Sequence, residues 1–144
     1  MEFIWTTDLS SINYKDAIKI RKKVFVEEQL VPPELEIDDL ENQTLHVIGY
    51  LENKAVSTAR IYKKNTTTFK IQRVAVLMYF RKKNLGHELM MEIERYAKAQ
   101  EFKTLMLDAQ DHALTFYEKL GYHVEGEGFM DAGIPHHLMI KKLD

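Results

Sequence analysis

The segment from Arg81 to Gly86 has the composition of an anion-binding turn. Three cations (Arg81, Lys82 and Lys83) precede Asn84 and Gly86, which are residue types that tolerate left-handed or tightly turned backbone. An amphipathic run follows at once, and the first turn of a helix presents about four free amides and roughly half a positive charge. The pattern therefore predicts a phosphate or pyrophosphate site, with a solvated basic turn as the alternative.

The rest of the composition narrows the ligand and the partners. The patterns GxxxxGK[ST] and GxGxxG are absent, so ATP, GTP and NAD lose their usual signatures. A formal net charge of −2 argues against a nucleic-acid partner. The chain has no Cys and no HExxH-like spacing, so no thiolate nucleophile and no metal site are expected. No apolar stretch approaches the roughly 20 residues that span a bilayer, so we expect no membrane partner and a cytoplasmic location.

The elements around the turn determine where it lies. A strand is predicted over TFKIQRVAVL, a helix from Leu85 to about Gln100, and a buried strand over TLMLDA (Thr104–Ala109). A strand, a helix and a strand in succession require a parallel right-handed crossover. The turn therefore follows the first strand of such a crossover, which is where α/β proteins place their ligands.

The first of these strands contains a change of phase. Phe69 and Ile71 are apolar at odd positions, whereas Val74 and Val76 are apolar at even positions. Alternation keeps one face apolar only while the phase holds, so the change predicts a β-bulge near Gln72–Arg73. The alternative is a strand buried on both faces.

The remaining segments complete one predicted domain, residues 1–144, with a mixed sheet and helices packed on it. They comprise a first strand (Glu2–Thr6), a helix capped by Ser11 or Asn13, a loop or short turn at Glu34–Glu41, a hairpin (TLHVIGYL and AVSTARIYK), a helix at Asp111–Gly121, and two final strands around a Gly-rich loop.

Charge is distributed in two blocks. The segment from Val24 to Asn53 has eight acids and no Lys or Arg, and the segment from Lys54 to His87 has nine bases and no Asp or Glu. Such blocks either solvate separate surfaces or create opposed local fields.

Four stretches, taken in order, resemble the GCN5-related N-acetyltransferases. The segment QRVAVLMYFRKKNLGHELM is similar to that family's acyl-CoA-binding segment, in which [Q/R]-x-x-G-x-[G/A] opens a helix. Asn84 stands where the family most often has Gly. LMLDAQDHALTFYEKLGYHVEGEGF resembles the family's next strand and helix. RKKVFVEEQLVPPELEIDD and FMDAGIPHHLMIKKL resemble the small bacterial subgroup typified by ElaA and YjcF.

The resemblance implies an α/β (α+β) fold, with a mixed, mostly antiparallel sheet of about six to seven strands, a central parallel pair and about four helices. It implies an N-acetyltransferase that moves an acetyl group from acetyl-CoA to a primary amine of a small molecule or peptide, by direct attack in a ternary complex. A homodimer is among the expected states.

The resemblance also implies site residues. Tyr117 takes the position of the general acid, with a core aromatic as the alternative. Phe116 is expected to be a core residue or a wall for the cofactor, and the core is preferred. Gln110 is expected to bond the pantetheine arm or to be a helix-entry residue. The main chain of Val74, Ala75 and Val76 is expected to pair with pantetheine, and the phosphates to bind at Arg81, Lys82, Lys83, Asn84, Leu85 and Gly86.

The sequence does not single out one residue as the general base or one compound as the acceptor. Many relatives use a Glu on the strand before the loop, but here that region reads Ile71-Gln72-Arg73, so the candidates are Glu27, Asp38, His46, His112 and His136. The acidic segment 27–41 corresponds to the family's acceptor region and favours a cationic amine, such as a polyamine, an aminoglycoside-like compound or a Lys side chain.

Two other functions remain as alternatives. Arg21–Phe25 (RxxVF) with Glu36–Asp38 (ExD) also resembles acyl-homoserine-lactone synthases, which use acyl-carrier protein. A non-catalytic CoA-binding module would explain the missing strand carboxylate.

Overall fold

The computed structural model describes residues 1 to 144 and contains one seven-stranded sheet. Its strands are β1 (Glu2–Thr6), β2 (Leu45–Leu51), β3 (Lys54–Lys63), β4 (Thr68–Val76), β5 (Thr104–Gln110), β6 (His123–Asp131) and β7 (Ile134–Lys142). The strand order is β1-β2-β3-β4-β5-β7-β6. Only β4 and β5 pair in parallel, and every other neighbouring pair is antiparallel. This topology confirms the predicted fold class.

Four helices connect the strands: α1 (Ile12–Arg21), α2 (Pro33–Glu36), α3 (Leu85–Ala99) and α4 (Leu114–Lys119). Ser11, rather than Asn13, caps α1, because its hydroxyl accepts a hydrogen bond from the Tyr14 amide at 3.1 Å. α1 continues directly into a π-helical turn, Lys22–Glu28. The predicted helix at 111–121 begins as a 3₁₀ turn, Asp111–Ala113, and only then becomes α4. None of the helices combines the length and the apolar character needed to cross a bilayer.

The helices cover both faces of the sheet. Val47 and Ile48 are consecutive on β2 but belong to different apolar clusters, as expected for side chains on opposite faces of a strand. The larger cluster joins α3 and α4 to the sheet and includes Phe69, Leu89, Ile93, Leu105 and Tyr117. The smaller cluster joins α1 to the other face and includes Ala17, Ile20, Val24 and Ala75.

The bulge predicted in β4 is present. Arg60 pairs with Gln72 and Thr58 pairs with Ala75, so β4 holds one residue more than β3 over this stretch. Arg73 lies at the extra position with a φ of 55°. The bulge reverses the phase of the strand, which confirms this reading of the apolar pattern over two-sided burial.

Beyond the bulge, β4 and β5 separate. Their parallel pairing begins at Thr68 and Thr104 and ends at Ile71 and Leu107. β5 continues to pair with β7 as far as Gln110, whereas the facing edge of β4 has no strand partner after Ile71. A gap between two strand edges therefore opens near the middle of the sheet.

A network of three arginines and three carboxylates fixes the segment around α2 against the sheet: Arg21, Arg60, Arg73, Glu36, Asp38 and Glu41. Arg21 bonds to Glu36 and to Glu41 at 2.8 Å each. Arg60 bonds to Glu41 and to Asp38 at 2.7 Å each. Arg21, Arg60 and Glu36 have side chains only 1–2% exposed, so opposite charges must be paired here to offset their desolvation.

For the three acids of this network, neither interpretation of the charge blocks, as separate solvated surfaces or as opposed local fields, is correct. Glu36, Asp38 and Glu41 neither solvate a separate surface nor form an anionic wall, because arginines neutralise them. Two of those arginines, Arg60 and Arg73, come from the basic block, and Arg73 bonds to Glu36 at 2.7 Å.

Acid should destabilise the fold through Glu41. Burial opposes its ionisation, but bonds from Arg21 and Tyr14 and the charge of Arg60 outweigh burial and lower the Glu41 pKa from 4.5 to about 2. A lowered folded-state pKa stabilises the fold above about pH 4.5, and this stability is lost as the pH falls toward about 2. The melting temperature should fall over that window more steeply in the wild type than in Glu41→Gln, whose amide cannot ionise. Equal slopes would contradict this role.

Candidate active site

The gap between β4 and β5 opens into a cavity of about 980 Å³. The cavity extends from the turn before α3 to His136 on β7. Its wall includes every residue that the sequence assigned to the donor site and to the acid, namely Val74, Ala75, Val76, Arg81, Lys82, Lys83, Asn84, Leu85, Gly86, Gln110 and Tyr117. The fold thus brings these residues together, and their individual roles stay predictions.

The turn before α3 points a row of free amides at this cavity. Lys82 and Asn84 have φ values of 64° and 66°, and they alternate with residues of negative φ. Successive amides in such an alternation converge into a concave anion site. The first backbone bond into α3 runs from the Glu88 amide to the Asn84 carbonyl at 3.1 Å, which leaves the amides from Lys83 to His87 without backbone acceptors. Their positive ends add to that of a 15-residue helix.

Gly86 allows three elements to meet behind the turn. A Cβ atom at this position would lie 3.3 Å from Cζ of Phe116 and 3.8 Å from Cγ2 of Val76. A larger side chain would therefore push on α4 or on the end of β4.

The Arg81 side chain is held in place by an ion pair and by a hydrogen bond to the main chain. Its guanidinium forms a two-pronged ion pair with Glu28, including a 2.7 Å bond from Nη2 to Oε1. Its Nε donates to the Val76 carbonyl at 2.9 Å. Lys82 and Lys83 have exposed side chains, so they supply the mobile charge at this end of the cavity.

The main chain of Val76 faces the gap. The Leu77 amide donates to the Val56 carbonyl at 3.0 Å, so the neighbouring pair Ser57 and Val76 is one that exchanges no hydrogen bonds. The amide and carbonyl of Val76 therefore point away from β3. The carbonyl is bonded to Arg81, and the amide remains directed into the gap.

Tyr117 reaches the cavity from α4. Its ring packs edge-on against the rings of Phe116 and Tyr122, with 5.0 and 5.8 Å between the ring centroids. Tyr117 is only 7% exposed. The Tyr117 hydroxyl has no hydrogen-bond partner, yet the only unpartnered side-chain polar atom that is fully enclosed is Ser57 Oγ. The Tyr117 hydroxyl is therefore accessible, and Tyr117 lines the cavity. Burial raises the pKa of Tyr117, which keeps the hydroxyl protonated. Phe116 is 37% exposed and lines the cavity, which favours the second of its two expected positions, a wall residue, over the preferred core position.

Gln110 joins two sides of the cavity. Its amide exchanges two hydrogen bonds with Gln29, at 2.8 and 3.2 Å. His112 Nε2 lies 2.6 Å from Gln110 Oε1. Because that oxygen can only accept, the bond places the proton on His112 Nε2.

Two of the five base candidates lie within the ion network or beside it. Asp38 is paired with Arg60 and Arg73; burial opposes its charge, but these arginines lower its pKa. His46 is 1% exposed, with Nε2 3.1 Å from the Glu41 carbonyl oxygen. Burial lowers the His46 pKa. Neither side chain lines the cavity.

The other three candidates divide between two cavities. Glu27 lines a separate cavity of about 430 Å³ next to the one described above. His112 and His136 line the main cavity together with Tyr117. Of the five base candidates, the structure therefore brings only these two near the predicted donor site.

Asp108 and Gln29 are among the polar residues of the cavity that sequence reasoning missed. Asp108 lies on β5 just beyond the last pair with β4, 32% exposed, with its carboxylate 3.4 Å from Lys70 Nζ. A single carboxylate ending an apolar strand was a usable signal for it. Gln29, which bonds to Gln110, carries no comparable signal in the sequence. No three His, Cys, Asp or Glu side chains cluster in a way that could hold a metal ion.

Comparisons with known proteins agree with this geometry. A family model described as an acetyltransferase (GNAT) domain matches residues 9–143. The uncharacterized N-acetyltransferase YjcF of Bacillus subtilis (strain 168) is 41% identical over 128 residues, which cover 88% of this chain and 91% of YjcF. Escherichia coli ElaA is 27% identical, and its crystal structure matches with a TM-score of 0.84 over 97% of this chain and 99% of ElaA.

A more distant structure shares the fold alone. A GNAT family acetyltransferase from Elizabethkingia anophelis with acetyl-CoA bound has a TM-score of 0.75 at 16% identity, over 99% of this chain and 97% of its own.

The family match and the identity with YjcF show that the chain belongs to the GCN5-related N-acetyltransferase (GNAT) family. Membership of this family supports acyl transfer from an acyl-CoA.

Proposed function

We propose that the chain transfers the acetyl group of acetyl-CoA to a primary amine of a small molecule or peptide, by direct attack within a ternary complex. The observation that carries the proposal is the break in β4–β5 pairing, which leads from free strand edges to the row of amides before α3. A ligand with an extended, amide-containing arm and a pyrophosphate complements both features. Acetyl-CoA has both parts.

In this proposal the donor lies along β4. The pyrophosphate binds the amides from Lys83 to Gly86, and the side chains of Lys82 and Lys83 add charge. The pantetheine arm pairs with the main chain from Val74 to Val76, as an added strand would. Gln110 is a further partner for the arm if its bonds to Gln29 open.

The transfer itself needs support for an oxyanion and a proton for the departing thiolate. A main-chain amide near Val76 that faces the gap and is not used by the pantetheine arm would bond the thioester oxygen as it becomes negative. Tyr117 supplies the proton, because its hydroxyl is open to the cavity and its raised pKa keeps it protonated.

The acceptor in this proposal is a cationic amine, but for a different reason from the one that the sequence offered. The acids at Glu36, Asp38 and Glu41 are neutralised by arginines. Asp108 lines the cavity where β4 and β5 separate, and its only cationic partner is the partly exposed Lys70, at 3.4 Å. An acceptor ammonium would bind Asp108 in competition with Lys70.

Turnover of an amine panel tests the function. The purified chain should release free thiol from acetyl-CoA in the presence of at least one of spermidine, kanamycin and a lysine-containing peptide. Mass spectrometry of the acceptor should show one added acetyl group, since the reaction joins the acyl carbon to nitrogen.

Two outcomes would favour the alternatives. Binding of CoA with no turnover of any amine would indicate a CoA-binding module. Turnover only with acyl-carrier protein as donor would indicate the acyltransferase alternative. The single domain at 1–144, the cytoplasmic location, the homodimer and the absence of nucleic-acid and membrane partners stay predictions.

A further inference from the structure

The geometry points to His136 as the general base of the proposed acetyl transfer, an inference that rests on the proposed function. It takes up the proton that the attacking amine must lose. His136 lies on β7, beyond the strands that would hold the donor, and it lines the cavity with Tyr117.

The structure fixes the protonation pattern of the His136 ring. Its Nδ1 lies 2.7 Å from the Ile134 carbonyl oxygen. A carbonyl can only accept, so Nδ1 carries the hydrogen and Nε2 carries the free lone pair. Nε2 has no hydrogen-bond partner and is not among the fully enclosed atoms, so it is accessible on a residue that lines the cavity.

The ring is also held in place. It stacks on Phe129 with 5.8 Å between centroids and 18° between planes, and His136 is only 7% exposed. A base whose orientation is set before the substrate binds loses little entropy in the reaction.

His136 and Tyr117 lie on opposite faces of β5. His136 pairs directly with Gln110, so the two side chains share a face. Ala109, the preceding residue, points to the other face and belongs to the same apolar cluster as Tyr117. A thioester in the gap would therefore have a proton acceptor on one face and a proton donor on the other.

The proposed step balances without a further reactant. Starting from the neutral amine, the nitrogen–carbon bond forms while Nε2 of His136 takes a proton from that nitrogen. The carbon–sulfur bond then breaks, and the thiolate takes the proton of the Tyr117 hydroxyl. Water returns the proton from His136 to the tyrosinate, and the products are an amide and free CoA.

Other titratable groups of the cavity are less well arranged for this role. His112 is exposed at the rim and its Nε2 is bonded to Gln110. The Asp108 carboxylate is already occupied by an ion pair with Lys70 at 3.4 Å. The titratable side chains that share the cavity with His136 are Glu28, Arg73, Asp108, His112 and Tyr117, with His87 and the basic turn at the far end.

The test compares His136→Gln with His137→Gln, using acetyl-CoA and the panel amine that the wild type acetylates fastest. His137 is the adjacent residue and is bonded to Asp111 at 2.6 Å on the other face, so its replacement is a matched control. We expect His136→Gln to lower kcat/KM by about 10²-fold or more and His137→Gln to leave it nearly unchanged. The affinity for acetyl-CoA should be unchanged in both.

The pH profile separates a base from a structural residue. On the acidic side of the profile, the slope of log kcat/KM against pH should be shallower in His136→Gln than in the wild type by about one unit per pH unit, because one titrating group has been removed. Added imidazole should restore part of the rate to His136→Ala.

Three results would overturn the assignment of His136. The first is an unchanged acidic slope of log kcat/KM in His136→Gln. The second is a loss of that slope in His112→Gln instead. The third is a lower rate in His136→Gln with an unchanged pH profile, together with no rescue of His136→Ala by imidazole. Failure of the proposed function is distinguishable, since the wild type itself would then acetylate no amine.

Discussion

Replacing Tyr117 by Phe is expected to reduce turnover by about 10²-fold or more while acetyl-CoA binding stays intact. The change removes one oxygen atom and leaves the ring that packs against Phe116 and Tyr122. The thiolate must then leave without a nearby proton donor, so the loss should appear in kcat rather than in KM. Thiol release with the fastest panel amine measures it.

Tyr122→Phe is the matched control for this prediction. Tyr122 is also a buried tyrosine, 4% exposed. Its ring packs edge-on against that of Tyr117 with 5.8 Å between the ring centroids, but it does not line the cavity. Its replacement should leave kcat near that of the wild type. A Tyr117→Phe protein with an unchanged rate would remove Tyr117 from the role of acid, and an equal loss in both variants would indicate a packing effect.

Asn84→Val should weaken the binding of acetyl-CoA by about 10-fold or more. Asn84 holds φ 66° and ψ 13°, a conformation that asparagine tolerates and a β-branched residue does not. The strain is worth about 1–3 kcal/mol, and about 1.4 kcal/mol corresponds to tenfold in affinity. The turn would relax to another conformation and direct its amides away from the pyrophosphate. Calorimetric titration of acetyl-CoA gives the dissociation constant.

Asn84→Gly controls for the loss of the side chain. Glycine adopts the same backbone without strain, and it is the residue that the family most often has at this position. We expect this variant to bind acetyl-CoA at least as tightly as the wild type. If Val and Gly weakened binding equally, the Asn84 side chain rather than its backbone conformation would be the important feature.

Local patterns in the sequence were enough to predict the part of the fold that makes the gap. The phase change between Ile71 and Val74 predicted a bulge, and the succession of strand, helix and strand predicted the parallel pair. Both features follow from which side chains must be buried, so they can be read from neighbouring residues alone.

The ion network could not be predicted in the same way. Its partners are separated by as many as 37 residues, as in the bond from Arg73 to the Glu36 carbonyl. Charge order along the chain does not specify which acid meets which arginine across a sheet. The acidic segment was therefore interpreted as a solvated surface or as part of the acceptor site, although its carboxylates at Glu36 and Glu41 are buried.

The candidate site was predicted unevenly for related reasons. The donor turn has a local signature, because Asn84 tolerates the left-handed backbone before the helix and Gly86 leaves room for Phe116. A base has no such signature, since its competence depends on what its other atoms contact. For His136 that contact is the Ile134 carbonyl, and it becomes visible only once the turn into β7 is built.

The most direct test of the central claim is a calorimetric titration of the wild type with CoA and with acetyl-CoA, at low and at high salt. If the amides before α3 and the two lysines hold a pyrophosphate, both ligands should bind, and added salt should weaken both. If neither ligand produced heat at high protein concentration, the gap between β4 and β5 would not be a coenzyme A site.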